Sequence, residues 1–282
     1  MRMLAYGAAV DLHDEYLRMS AQLFRKSLIK FVEGVISNFG DEYLQKPNEE
    51  ELARLLHIGE QRGFPGMLGS IDCMHWEWKN CPTSWAGQYA GRSGSPTIIL
   101  EAVASQDLWI WHAFIGTPGS RNDINVLDQS PVFDDILEGP QTMRHKLFAR
   151  HQESARKDVE RAFGVLQAHF AFIKCPCLIW DRDIMGTIMI ACIILHNMIV
   201  EDERSTYSNY CDPAEFIQDR FGQSSRENED GDANNDFIYS MNRIVSLASY
   251  MKNKAQLQNR EAHKALRDDL VEHIWAKFGN CN

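Results

Sequence analysis

The sequence predicts a mixed α/β chain in which helices flank a short run of three strands, and three observations lead there. From residue 1 to 60, apolar residues such as Leu23, Phe24, Leu28, Phe31, Val32 and Val35 recur near helical spacing. Between Gly63 and Gly119 the period changes, and β-branched and aromatic residues gather between Gly, Pro and Ser punctuation. Beyond Gly139 the helical period returns.

In the first region Leu12 and Tyr16 continue the apolar pattern, and Asp41, Pro47 and Asn48 interrupt it. Asn48 followed by three glutamates reads as a capped helix start, with acids at the end of the dipole that favours them. The turn Gly63-Phe64-Pro65-Gly66 leads into three strand candidates, 67–78, 97–104 and 108–115. The segments 87–95 and 105–107 have the composition of connections in a meander, and a short helix is expected from Asp123 to Phe133. The stretch 152–172 reads as one amphipathic helix, with Val159, Phe163, Leu166 and Phe170 on a common face. The stretch 183–203 is apolar nearly all round and is expected at the centre of the fold. Residues 201–236 hold eleven acids against three Arg, with Ser, Asn and Gly interleaved, which describes a flexible acidic linker. From Phe237 to Gly279 helix is expected again, anchored by Leu270, Ile274, Trp275 and Phe278. The division that follows is 1–60, 63–200, 201–236 and 237–282.

Composition limits the function. The formal net charge of −10 argues against coating nucleic acid with the whole surface, so such contact needs a local basic patch. One is present between Gln141 and Arg161, where six Lys or Arg face three acids. That run fits phosphate contacts and fits an ordinary solvated helix face equally well. Seven cysteines without framework spacing indicate free thiols in a reducing compartment, cytosol or nucleus. No secretory signal is expected from Met1 to Val10, and the apolar stretch 184–200 is short, contains His196 and Asn197, and reads as a core helix.

Asp72 stands out among these residues, because a carboxylate within an apolar strand must lie at an opening, be paired, or hold a cation. Asp72, Asp123 and Glu160 together are candidates for a two-cation site of phosphodiester chemistry, where carboxylate oxygens suit hard divalent ions. The competing reading is a solvated loop acid at Asp123 and an Arg156–Glu160 helix pair worth about 0.3–0.5 kcal/mol. Cys73, His75 and Cys81, or Cys175 and Cys177, lack the paired spacing of a zinc site and read as buried thiols with an orienting histidine. His196 reads as a satisfied core histidine. The glycines of 87–95 have no phosphate-loop spacing.

Several motifs carry a resemblance. Residues 63–76 (GFPGMLGSIDCMHW), 119–127 (GSRNDINVL) and 155–167 (ARKDVERAFGVLQ) resemble the PIF/Harbinger transposase family, in particular its plant branch of nuclease-like, often domesticated members. Residues 194–203 and 270–278 match as well, so the resemblance covers most of the chain. It implies an RNase H-like DDE nuclease core that cuts DNA with Mg²⁺ or Mn²⁺ in the nucleus, with Asp72 as first metal ligand and Glu160 as last. It also implies that residues 1–60 are the remainder of a helix-turn-helix DNA-binding part, with Arg18, Arg25, Lys26 and Lys30 as phosphate contacts.

The chain departs from the family pattern in one respect. The second metal-binding aspartate of the family ends a fourth strand, in a Leu-Ala-Asp-Gly-Ile-Tyr-Pro type motif that is absent here. Residues 138–145 run straight into Lys146-Leu147-Phe148-Ala149, so the fourth and fifth strands are expected to be missing. Asp123 belongs to a different motif and is at most a substitute ligand. Two expectations follow: an unpaired edge at the Asp72 strand, and weak or absent nuclease activity. The alternative function is a non-enzymatic nuclear factor that binds DNA, chromatin or a protein partner.

Overall fold

The computed structural model describes residues 1–7, 20–91, 94–119, 143–203 and 260–279. Helices come first: α1 (Arg2–Tyr6), α2 (Ala21–Tyr43) and α3 (Glu49–Gln61). Ser20 caps α2 through Leu23 N–H at 3.4 Å, and Asn48 caps α3 through Glu51 N–H at 2.8 Å, as the Asn-Glu-Glu-Glu run predicts. Of the early apolar pattern, Leu12 and Tyr16 lie outside the described residues.

Three strands follow, β1 (Ser70–Glu77), β2 (Thr97–Ala104) and β3 (Ile110–Pro118), with the short helix α4 (Thr83–Tyr89) between the first two. The sheet is an antiparallel meander in the order β1-β2-β3, so the fold is mixed α/β as expected. β2 has the expected bounds. β1 begins three residues later than the composition suggested, and β3 begins two later, because Leu108 adopts a left-handed turn at φ 68°. The register pairs Asp72 with Ala102, and Ala102 in turn with Ala113.

Beyond the sheet lie α5 (Met143–His169), α6 (Ala171–Lys174), α7 (Arg182–Asp202) and α8 (Arg260–Phe278). α5 starts nine residues before the expected helix, so residues 146–149 form part of it. Asp181 caps α7 through Asp183 N–H at 2.8 Å. The expected helix at Asp123–Phe133 and residues 204–236 of the acidic linker lie outside the described residues. Of the expected C-terminal helical region, only 260–278 is described.

The core lies between the sheet and the long helices. α7 is its centre: Met185, Ile188, Met189, Ile193 and Ile194 are fully buried, and the helix packs against both α2 and β3. Its length and apolar composition suffice for a membrane span, but these side chains are in the protein interior. α5 covers β1 and β2 with Val159, Ala162 and Leu166. Trp76 and Trp78 close the other end of β1 by donating indole N–H bonds to Cys175 O and Ile179 O.

α8 packs on the N-terminal half of α5 as a separate small cluster of Phe148, Val271 and Ile274, with Phe64 and Phe278 against it. Gly63, at φ +89°, makes room for it. A Cβ there would meet the Ile274 side chain at 2.9 Å.

Candidate functional site

The site is built on the inner face of β1. Ser70, Asp72, Met74 and Trp76 share that face, and α5 lies across it. Two contacts flank Asp72: Ser70 Oγ donates to Ala155 O at 2.5 Å, and Gln167 Nε2 meets Met74 Sδ at 3.0 Å. α5 therefore advances along β1 from residue 155 near Ser70 to residue 167 near Met74. Asp72 is half-buried, and its sheet neighbours Ala102 and Ala113 are small.

Glu160 lies on α5 seven positions before Gln167, two helical turns along the same stripe that meets β1 at Met74. Its side chain is exposed, with Arg156 Nη2 3.9 Å from Oε1, the helix pair that the spacing allowed. With both partners half in solvent, that pair contributes little. Asp123 lies outside the described residues. Among the described residues no group of three or more His, Cys, Asp or Glu is arranged to hold a metal ion. Among the described residues Asp72 and Glu160 are the two candidate carboxylates, and a two-cation site needs more donors than these.

The acid that α5 does bury is Asp158, at 1% exposure. It accepts from Arg62 at the end of α3 and from Arg161 Nη2 at 2.6 Å, which ties α3 to α5. Sequence reading counted Asp158 only as one acid in a basic run. Its signal was its place one residue before buried Val159, on the apolar stripe and opposite Glu160. Of the basic run, Arg144 donates from Nη1 to both carboxylate oxygens of Glu272 at 2.7 Å and lies over the Trp275 ring. Lys157 pairs with Glu153 at 3.7 Å, and Lys146 and Arg150 are exposed.

Of the thiols expected to be buried, Cys177 is buried, Cys73 and Cys81 are half-buried, and Cys175 is exposed. Burial first, then the charges of Glu101 and Asp72, push Cys73 up to about 12, and burial pushes Cys177 up to about 11. His75 Nδ1 lies 3.1 Å from Thr97 Oγ1. His196 is fully buried with Nε2 2.9 Å from Leu108 O, and burial lowers it to about 4. Among the described residues its Nδ1 has no hydrogen-bond partner, so the core histidine is satisfied there on one side only. Asn197 beside it donates to Tyr43 O and Ile110 O and accepts from Ile110 N–H.

With the geometry in place, comparison with known families is informative. The family described as Plant transposon protein matches residues 41–142 and 137–207, more than half of the chain. The chain belongs to this family. The first matched segment of this plant transposon protein carries Asp72 and Asp123, and the second carries Glu160, His196 and Asn197. The two segments meet at 137–142, where the sequence reading puts the lost strands. No curated protein and no solved structure matches the chain.

Proposed function

We propose that this plant transposon protein descends from a PIF/Harbinger-type, divalent-metal-dependent DNA endonuclease with an RNase H-like core, and that it cuts DNA weakly or not at all. Asp72 and Glu160 stand as the first and last ancestral metal ligands. The observation that carries the reading is their placement on β1 and on the α5 stripe that meets β1 through Gln167 and Met74. Asp123 is the candidate substitute ligand. The break in the family match at 137–142 supports the loss of the strand that would bring the ancestral second aspartate.

Two carboxylates hold two cations poorly, and without both ions neither the attacking nor the leaving oxygen is stabilised. The chain's own residues are left with DNA contact, for which Lys146 and Arg150 on the exposed side of α5 are suited. The test is plasmid nicking in Mg²⁺ or Mn²⁺, with Asp72→Ala beside the unaltered chain. Equal background rates are expected, and robust nicking that disappears in Asp72→Ala would refute the impaired-site reading. DNA binding without nicking, falling with Lys146→Ala and Arg150→Ala, is the outcome expected of a nuclear DNA-binding factor.

A further inference from the structure

Among the described residues β1 is an outer strand, and three hydrogen bonds fix the direction of its backbone groups. Trp78 N–H donates to Pro96 O at 2.8 Å on the β2 side. On the opposite side Glu77 O accepts from Cys177 N–H at 2.8 Å and Lys79 N–H donates to Cys177 O at 3.0 Å. Direction alternates along a strand. Ser70, Asp72, Met74 and Trp76 therefore bond to β2, while Ile71, Cys73 and His75 turn their N–H and C=O outward.

Cys177 closes the edge beyond His75 through the parallel bridge Trp78–Cys177. No described strand covers residues 71–75. Ile71 beside them is 53% exposed and Leu68 is 41% exposed, an apolar margin on an open edge.

We propose that this edge pairs with the same edge of a second copy of the chain, antiparallel and two-fold symmetric about Cys73. The register is selected by what each alternative meets. Centred on Cys73, the pairs are Ile71 with the partner's His75, Cys73 with the partner's Cys73, and His75 with the partner's Ile71. Hydrogen-bonded pairs recur every second residue in an antiparallel ladder, so every outward N–H and C=O of the three residues finds a partner. On the inner face Asp72 lies opposite the partner's Met74, with no like charges facing. Centring one residue earlier sets Asp72 against the partner's Asp72, which like-charge repulsion opposes. Centring one or two residues later requires the Glu77 carbonyl, which Cys177 N–H already occupies. Centring two residues earlier sets His75 against the partner's Met67, whose N–H already donates to Phe64 O, so Cys73 is the centre that the edge allows. A contact of five residues a side is small beside the roughly 1,600 Å² of a standard interface, so the dimer is weak and forms reversibly.

The experiment is sedimentation equilibrium of the full chain, with amide exchange resolved to single residues at low and high protein concentration. The expected result is a mass rising from the 32.4 kDa monomer towards twice that value, with the amides of Ile71, Cys73 and His75 gaining protection as concentration rises. The amides of Asp72 and Met74, bonded to β2, stay protected throughout. Cys73→Pro removes an outward N–H and is expected to shift dissociation at least tenfold. Ile71→Lys, which keeps the backbone intact, is expected to do the same should the proline variant fail to fold. A monomer at all concentrations overturns the proposal. So does concentration-independent protection of the outward amides, which would assign the edge to a segment of the same chain. A dimer that survives both substitutions overturns it as well.

Discussion

Asp158 and Glu160 are two residues apart on α5 and have opposite fates. Asp158 is buried between Arg62 and Arg161, whereas Glu160 stands in solvent beside Arg156. Removing one member of a buried ion pair leaves the other uncompensated. Asp158→Ala is therefore expected to cost about 3 kcal/mol in urea unfolding, and Glu160→Ala no more than about 0.5 kcal/mol. The reverse ranking would mean that α5 is anchored elsewhere. His196 makes a second prediction at this scale. Its folded value of about 4 lies below the ordinary 6.5 because burial disfavours the charged ring. The unfolded chain thus binds the extra proton between those values. The neutral-ring contribution is whole above pH 6.5 and is lost as pH falls towards 4, by on the order of 3 kcal/mol. Burial lowers His169, 5.5 Å away ring to ring, in the same direction. Unfolding at pH 7 and 4.5 should show this slope, and His196→Leu should flatten it.

Among the elements, the helices are unequal in how they are held. α7 sits in the main core, while α8 rests on α5 through Phe148, Val271 and Ile274, supported by Arg144–Glu272 and by Lys277 Nζ on Glu60 O at 2.6 Å. A separate small cluster can open without the main one. Ile274→Asp is expected to bring residues 261–278 to fast amide exchange while the amides of α7 stay protected. Loss of protection in both would show a single cooperative unit. Element identity was legible where periodicity was unambiguous: β2, α7 and the Asn48 cap follow from residue type and spacing alone. The start of β3 was not legible, because the left-handed Leu108 is held by a carbonyl bond from His196, a contact from 88 residues away. The length of α5 was not legible either. Its first turns are basic and lack a strong apolar stripe until α8 supplies the partners for Leu147 and Phe148.

For the molecule as a whole, the mixed α/β architecture and membership of the plant transposon family were accessible from sequence, since strand-forming runs and family motifs are local. The candidate site was accessible only in part. Asp72 and Glu160 could be named, but the meeting of β1 and α5 depends on Ser70 with Ala155 and Met74 with Gln167, pairs 85 and 93 residues apart. Nothing in a linear reading weighs such pairs. Asp158 was missed for the same reason, its partner Arg62 lying 96 residues away.

The side-chain amide of Asn197 reaches the far edge of the sheet at Ile110. It accepts from Ile110 N–H and donates to Ile110 O, which is what one residue of an adjoining strand would do. β3 is thereby stopped at Ile110 by a helix side chain, and no further strand can add there while both groups are held. Asn197 holds Ile110 and no other residue of β3, so it bars pairing at the start of the strand and not along its length.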